Sequence, residues 1–264
     1  MENAKKMREK IARGQVCYGS YISSTDPVVT EALSSFNDFF WIDAEHNALT
    51  LETIQLHLMA TRGSDAAAIV RVPWNDPVLI KPVLDIGADG IIVPFVRNAE
   101  DARRAVAACR YPPDGIRGYG PRRANRFGKL PQLDYIREAN ENIIVVAQIE
   151  HVDALNHLDE ILAVPGLTSI QVGPNDLSGT MGLMGQPNHP EVVKVIEAIV
   201  DKTLKTKVWA SVSVGGSLEY FAGWVKRGVQ WMPLSGDIPY MLSAARQMQD
   251  QVRALAQASP RSAK

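Results

Sequence analysis

The sequence predicts an α/β fold, a single-domain (β/α)8 TIM barrel, and three observations carry that reading. Short β-branched or aromatic runs alternate with longer amphipathic stretches, the signature of successive βα units. Eight such runs fit into 264 residues, the strand count and the length of one barrel. No G-x-G-x-x-G turn follows the first run, which counts against an open doubly wound sheet.

The elements follow in order. The opening MENAKKMREKIARGQ carries basic charge but no apolar stretch of signal-peptide length behind it, and reads as an amphipathic helix. Strands are then expected at 16–21 (VCYGSY), 38–43 (DFFWID), 67–72 (AAIVRV), 89–94 (DGIIVP), 142–150 (NIIVVAQIE), 168–173 (TSIQVG), 207–212 (KVWASV) and 229–234 (VQWMPL). Helical spacing follows most of them, at 26–35, 50–62, 76–87, 99–110, 151–163, 189–206 and 217–227, and a last helix covers about 238–257. Two segments are irregular. In 111–131, Gly and Pro punctuate Arg117, Arg122, Arg123 and Arg126, and a loop that long in a compact domain is functional or builds an interface. The other, 173–190, follows the sixth strand run, which puts it on the catalytic face of a barrel. The polar tail ASPRSAK reads as disordered, and no linker or internal repeat divides the chain, so 1–264 is one domain.

Composition narrows the function classes. Hydrophobic residues make up 46% and charged ones 22%, as in an ordinary globular protein. A net charge of -1 supplies no field toward nucleic acid or an anionic membrane, and the arginines of 111–131 lack a helical or sheet platform for nucleic acid. Charged residues interrupt every apolar run well short of the roughly 20 residues of a membrane helix. Two cysteines, Cys17 and Cys109, are too few for a disulfide framework or a thiolate zinc site, and suit a reducing cytoplasm.

Barrel enzymes place catalytic groups at the C-terminal ends of strands. Here those ends carry Asp43, Glu45 and His46, then Arg71, then Gln148 and Glu150, then Asn175 and Asp176. Glu150 and Asp176 are carboxylates on successive strand ends, an arrangement that holds a hard divalent cation with few protein ligands and several waters. The alternative is structural: Glu150 caps a helix beginning near Val152 and Asp176 closes a turn with Asn175. His46, flanked by acids in WIDAEHN, suits acid–base work, or is a solvated loop residue. Arg71 ends an apolar strand and offers a planar fork to a carboxylate or an enolate oxygen, or makes a structural ion pair. No lysine sits inside a strand run, which favours a metal-stabilised enolate over a lysine Schiff base.

WIDAEHNALT (41–50), RVPWNDP (71–77), VLDIGADGIIVPFV (83–96), GIRGYGPRRANRFG (115–128), VVAQIEHVDAL (145–155) and GPNDLSGTMGLMGQPNHPEV (173–192) together resemble the HpcH/HpaI aldolase family of metal-dependent class II pyruvate aldolases. The resemblance covers roughly residues 15–250. It implies Glu150 and Asp176 as ligands of Mg2+, Mn2+ or Co2+, with no organic cofactor. It implies His46 as acid/base, assisted by Asp85 from a neighbouring subunit, and Arg71 at the pyruvate enolate. Gln148, Gly173, Pro174, Asn175 and Asp176 would hold pyruvate, and Arg123 would reach across a subunit interface. The implied reaction converts 4-hydroxy-2-oxo acids to pyruvate and an aldehyde, in a cytoplasmic homohexamer whose C-terminal helix packs on a neighbour. That helix's Met241, Leu242 and Met248 would equally suit packing on its own barrel. Three rivals stay open: a citrate-lyase-β or malyl-CoA-type lyase, an oxaloacetate decarboxylase resembling macrophomate synthase, and a non-catalytic barrel that binds keto acids.

Overall fold

The structure is a computed structural model and describes residues 1–213 and 216–258; the tail from Ser259, expected to be disordered, lies outside the described residues. Eight parallel strands form one sheet: β1 (Cys17–Ile22), β2 (Phe39–Asp43), β3 (Ala67–Arg71), β4 (Gly90–Val93), β5 (Ile144–Ile149), β6 (Ser169–Val172), β7 (Trp209–Val212) and β8 (Trp231–Gly236). All eight lie where the β-rich runs place them. Laddered neighbours run β7-β6-β5-β4-β3-β2-β1-β8. At the β7/β8 seam the side chain of Gln230 closes the circle: its Oε1 accepts from Ala210 N at 2.8 Å while its backbone N donates to Ala210 O at 3.2 Å. The fold is a nearly closed (β/α)8 barrel.

Alternation along the strands divides the core in two. Phe39, Trp41, Ala67, Ile69, Ile92, Ile144, Val146 and Trp231 pack together with Ala4, Met7 and Ile11 of α1 (Glu2–Ala12), so the amphipathic opening helix joins the barrel's inner core. The intervening Phe40, Ile42, Ala68, Val70, Ile91, Val93, Val145 and Ala147 face outward into the helical shell. Fully burying each Val, Ile or Phe among them contributes about 1.5–3 kcal/mol, which is why these runs are apolar on both faces.

The shell comprises α2 (Pro27–Leu33), α3 (Leu51–Ala60), α4 (Pro77–Asp85), α5 (Ala99–Cys109), α6 (Gln132–Asn142), α7 (Asp153–Asn156), α8 (Leu158–Leu162), α9 (Pro174–Thr180), α10 (Pro190–Thr203), α11 (Leu218–Arg227) and α12 (Asp237–Ala258). Their starts are written locally. Asp26 and Asp76 accept from Val28 N and Val78 N at 3.0 and 2.7 Å, each followed by a proline whose fixed φ suits the first helical turn. Two expectations change. The stretch 151–163 is not one helix but α7 and α8, broken at His157, and the segment 173–190 contains α9.

His57 is a satisfied core histidine, with Nδ1 2.8 Å from Thr30 Oγ1 and Nε2 2.9 Å from Ser24 O. In α12, Ile238 through Gln257 are exposed, Met241, Leu242 and Met248 among them, so packing on the chain's own barrel is not what this helix does. Among the described residues, no helix is long and apolar enough to cross a membrane.

Candidate active site

The alternation that sends Phe39 and Trp41 inward puts Asp43 of β2 on the axial face as well, in register with Arg71 of β3. The two meet as a fork: Arg71 Nε donates to Asp43 Oδ1 and Nη2 to Oδ2, both at 2.8 Å. Arg71 Nη1 lies 3.0 Å from Glu45 Oε2 and 3.5 Å from Gln148 Oε1, and the guanidinium stands 5.2 Å from the Trp41 ring centroid. Burial pulls the Arg71 pKa down, but the Asp43 and Glu45 carboxylates outweigh it and the net shift is upward. The result is a buried, permanently charged group with its plane fixed on both sides. Asp43 is fixed in turn, accepting from Glu45 N at 3.1 Å and Asn47 Nδ2 at 2.8 Å.

Glu150 follows β5 and is almost wholly buried. Its Oε1 accepts from Phe95 N at 2.8 Å, and its Oε2 accepts from Gln148 Nε2. Phe95 has φ 51°, a left-handed conformation costing a non-glycine residue about 1–2 kcal/mol, and that conformation accompanies an N–H placed on the carboxylate. Burial pushes the Glu150 carboxyl up to about 7; neighbouring Glu45 and Asp176 add to the shift, and the Phe95 N–H and Arg71 oppose it. Burial likewise raises Glu45. Gly173, at the start of α9, has no room for a side chain: a Cβ there would meet the Glu150 carboxylate oxygen and lie 2.9 Å from Gln148 Nε2.

A cavity of about 480 Å3 opens above these groups at the C-terminal ends of the strands. His46, Arg71, Gln148, Gly173, Pro174, Asn175 and Asp176 all line it, so most of the site residues read from the sequence are brought together. Glu150 lies against its floor through Gln148 and Gly173. The His46 side chain is 61% exposed, with Nε2 3.6 Å from Glu45 Oε2, and so stands at the mouth. Tyr21, Trp41, Pro187, Asn188 and Ser213 complete the wall. Tyr21, Trp41, Pro187 and Asn188 escaped the sequence reading, as did the clamp that Asp43 forms on Arg71. Inward parity along β1 would have found Tyr21, and only the β2–β3 register shows what Asp43 does.

Asp85 and Arg123 do not line the cavity. Asp85, the last residue of α4, accepts from Arg117 Nη2 at 2.7 Å, and Arg123 donates to Ile86 O and Leu58 O at 2.7 and 2.8 Å. Because α4 runs back along the barrel, both belong to the end opposite the cavity.

Comparison with known proteins agrees with this architecture. The model of the HpcH/HpaI aldolase/citrate lyase family matches residues 18–237. A 5-keto-4-deoxy-D-glucarate aldolase of Enterobacter sp. (strain 638) is 41% identical over 199 residues, covering 75% of this chain and 77% of its own. Among solved structures, an HpcH/HpaI aldolase from Desulfitobacterium hafniense DCB-2 superposes with a TM-score of 0.88 at 29% identity, over 93% of this chain and 96% of that one. An HpcH/HpaI aldolase/citrate lyase family protein from Burkholderia cenocepacia J2315 gives 0.87 at 28% identity, over 95% and 98%. A barrel with its polar groups gathered at one rim, matched by this model over most of its length, belongs to the HpcH/HpaI aldolase/citrate lyase family and is a carbon–carbon lyase.

Proposed function

We propose that this lyase cleaves 4-hydroxy-2-oxo acids to pyruvate and an aldehyde, and forms them in reverse, as a divalent-metal-dependent class II aldolase. The observation that carries the reading is the clamped Arg71 facing the same cavity as His46, Gln148 and Asp176, with the Glu150 carboxylate at its floor.

Glu150 and Asp176 fit a hard divalent cation. Two neighbouring carboxylates, Glu45 and Asp176, are close enough to add to the upward shift of Glu150, and Arg71 opposes them as a side-chain cation. Among the described residues no cluster of three His, Cys, Asp or Glu side chains could hold a metal, so Glu150 and Asp176 would hold a cation with water and substrate oxygens as its further ligands. When bound, it supplies Lewis-acid stabilisation of the charge that develops on pyruvate.

The chain's own residues do the rest. Arg71 and Gln148 direct fixed donors at the keto oxygen, and Arg71 adds charge where the enolate forms. Gly173, Pro174, Asn175 and Asp176 border the pyruvate carboxylate, with the backbone amides of Asn175 and Asp176 as donors. His46, directly or through a water, takes the proton from the C4 hydroxyl. The C3–C4 electron pair then passes into the pyruvate enolate, the aldehyde leaves, and protonation at C3 completes the cycle. Asp85 and Arg123 would serve a neighbouring subunit's site, in a homohexamer that covers the apolar face of α12. A cytoplasmic setting suits the two free, buried cysteines.

Release of pyruvate from a panel of racemic 4-hydroxy-2-oxo acids, followed with lactate dehydrogenase, is expected to stop on EDTA treatment and return with Mg2+, Mn2+ or Co2+. A requirement for a CoA thioester, or pyruvate binding without any cleavage, would overturn the reading. Light scattering is expected to give a homohexamer, and removal of α12 a smaller species; a full-length chain that runs as a 29.0 kDa monomer would sink the assembly.

A further inference from the structure

The helix α12 is exposed from Ile238 onward, and one buried carboxylate fixes its root. Asp237, 6% exposed, receives four donors: Oδ2 accepts from Ser23 N and Ser24 N at 2.9 and 2.7 Å, and Oδ1 from Ser23 Oγ and Ile238 N at 2.7 and 2.9 Å. An ordinary helix cap accepts from an amide two or three residues further along its own helix. Here three of the four donors belong to the loop after β1, so Asp237 is a joint between two elements. Among the described residues no other hydrogen bond or ion pair ties α12 to the barrel. The loop is held from its other side by His57, whose Nε2 lies 2.9 Å from Ser24 O. Both strands that meet at the joint reach the cavity wall. Tyr21 stands two residues before Ser23 and pairs with Gly236, where an added Cβ would come 3.1 Å from Tyr21 Cβ. A swing of α12 about its root therefore pulls on the backbone directly behind Tyr21.

We propose that Asp237 is a positioning residue that couples the seating of α12 on a neighbouring copy of this chain to the Tyr21 wall of the cavity. This rests on the assembly reading above, in which a second copy covers the apolar face of α12. In a lone chain the joint alone carries the polar hold on the helix, and motion of the helix works against the Ser23 and Ser24 amides. Once Leu242 and Met248 are covered, the helix is fixed along its length and those amides stay on Asp237. Coupling of this kind is reciprocal, so a well-held loop also favours assembly.

The test uses the full chain. Leu242→Glu combined with Met248→Glu charges the apolar face of α12 and leaves the chain's own barrel untouched, since both side chains are exposed within one chain. Light scattering gives the mass, and hydrogen exchange read by mass spectrometry gives the protection of the amides of residues 21–24, which needs no catalytic activity. The mass is expected to fall and those amides to exchange about tenfold faster than in wild type, while the amides of β3 keep their protection. The converse variant is Asp237→Asn, which keeps the shape but turns an amide NH2 toward two of the donors. On dilution it is expected to dissociate at a protein concentration about tenfold above wild type, read by mass photometry. A fall in mass with exchange at 21–24 unchanged within about twofold, or with β3 exchanging equally faster, overturns the inference and leaves the assembly standing. Asp237→Asn that assembles as wild type at every concentration does the same. A wild type that is already monomeric, or a doubly charged variant that keeps the wild-type mass, removes the assembly through α12 and the inference with it.

Discussion

Arg71→Met is expected to lower kcat by about 10²–10³-fold, the usual effect of removing a preorganised donor from a developing oxyanion. The variant is also expected to melt well below the wild type. Asp43 and Glu45 lose their common counter-ion in a buried setting, and breaking a buried pair on one side costs about 3–5 kcal/mol. Arg71→Lys separates the two effects. An ammonium restores charge and so most of the stability, but it cannot make the two parallel 2.8 Å bonds to Asp43 that set the plane of the guanidinium. Its kcat should therefore stay depressed by about 10-fold or more while its melting temperature approaches that of the wild type. A lysine variant with wild-type kcat would show that the fork does not matter and that Arg71 acts only as a charge.

Glu150→Gln is expected to abolish metal-dependent activity and, without metal, to make the protein more stable at pH 8. The sign follows from the direction of the shift. Burial raises the folded-state pKa of Glu150 from 4.5 to about 7, so the folded chain holds this proton more tightly than the unfolded chain does. The associated stability is fully present below pH 4.5, falls as pH rises, and is gone above about 7. A shift of that size corresponds to about 3 kcal/mol, a penalty that a neutral amide of the same shape does not carry. Thermal melts in EDTA should show Glu150→Gln several degrees above wild type at pH 8 and level with it near pH 4. Adding Mg2+ should raise the wild type and leave the variant where it was. Equal melting temperatures at pH 8 in EDTA, or equal stabilisation by Mg2+, would remove Glu150 from the metal site.

The barrel was legible because each of its strands is a short apolar run bounded by helical spacing, and both faces of a parallel strand are buried. The rim was legible for the same reason: once strand ends are located, Arg71, Gln148 and Asp176 fall on them. What stayed hidden required knowledge of a neighbour. Asp43 and Glu45 were visible at a strand end, but their hold on Arg71 depends on how β2 pairs with β3. Helix α9 hid in a segment dense in Gly, Pro and Asn; its signal was Pro174, a residue suited to a first helical turn, directly after the strand-ending Gly173. Tyr21 hid because VCYGSY reads as an ordinary strand, and only its inward parity brings the phenol into the cavity. Asp85 and Arg123 carried meaning by resemblance alone; within one chain they hold the far end of the barrel together.

Among the described residues, seven junctions of the barrel are backbone ladders and the eighth, between β7 and β8, is stitched by Gln230. Rigidity is therefore unevenly distributed around the circle. Arg71 and Gln148 stand on strands laddered on both sides, where opening means breaking continuous rows of backbone bonds. Ser213 adjoins the seam, and Tyr21 sits one ladder beyond it. The Arg71 and Gln148 side of the cavity is anchored in continuously laddered sheet, while the Tyr21 and Ser213 side borders the junction that, among the described residues, no backbone ladder spans. Gln230, through its side chain and its backbone N–H together, carries that junction.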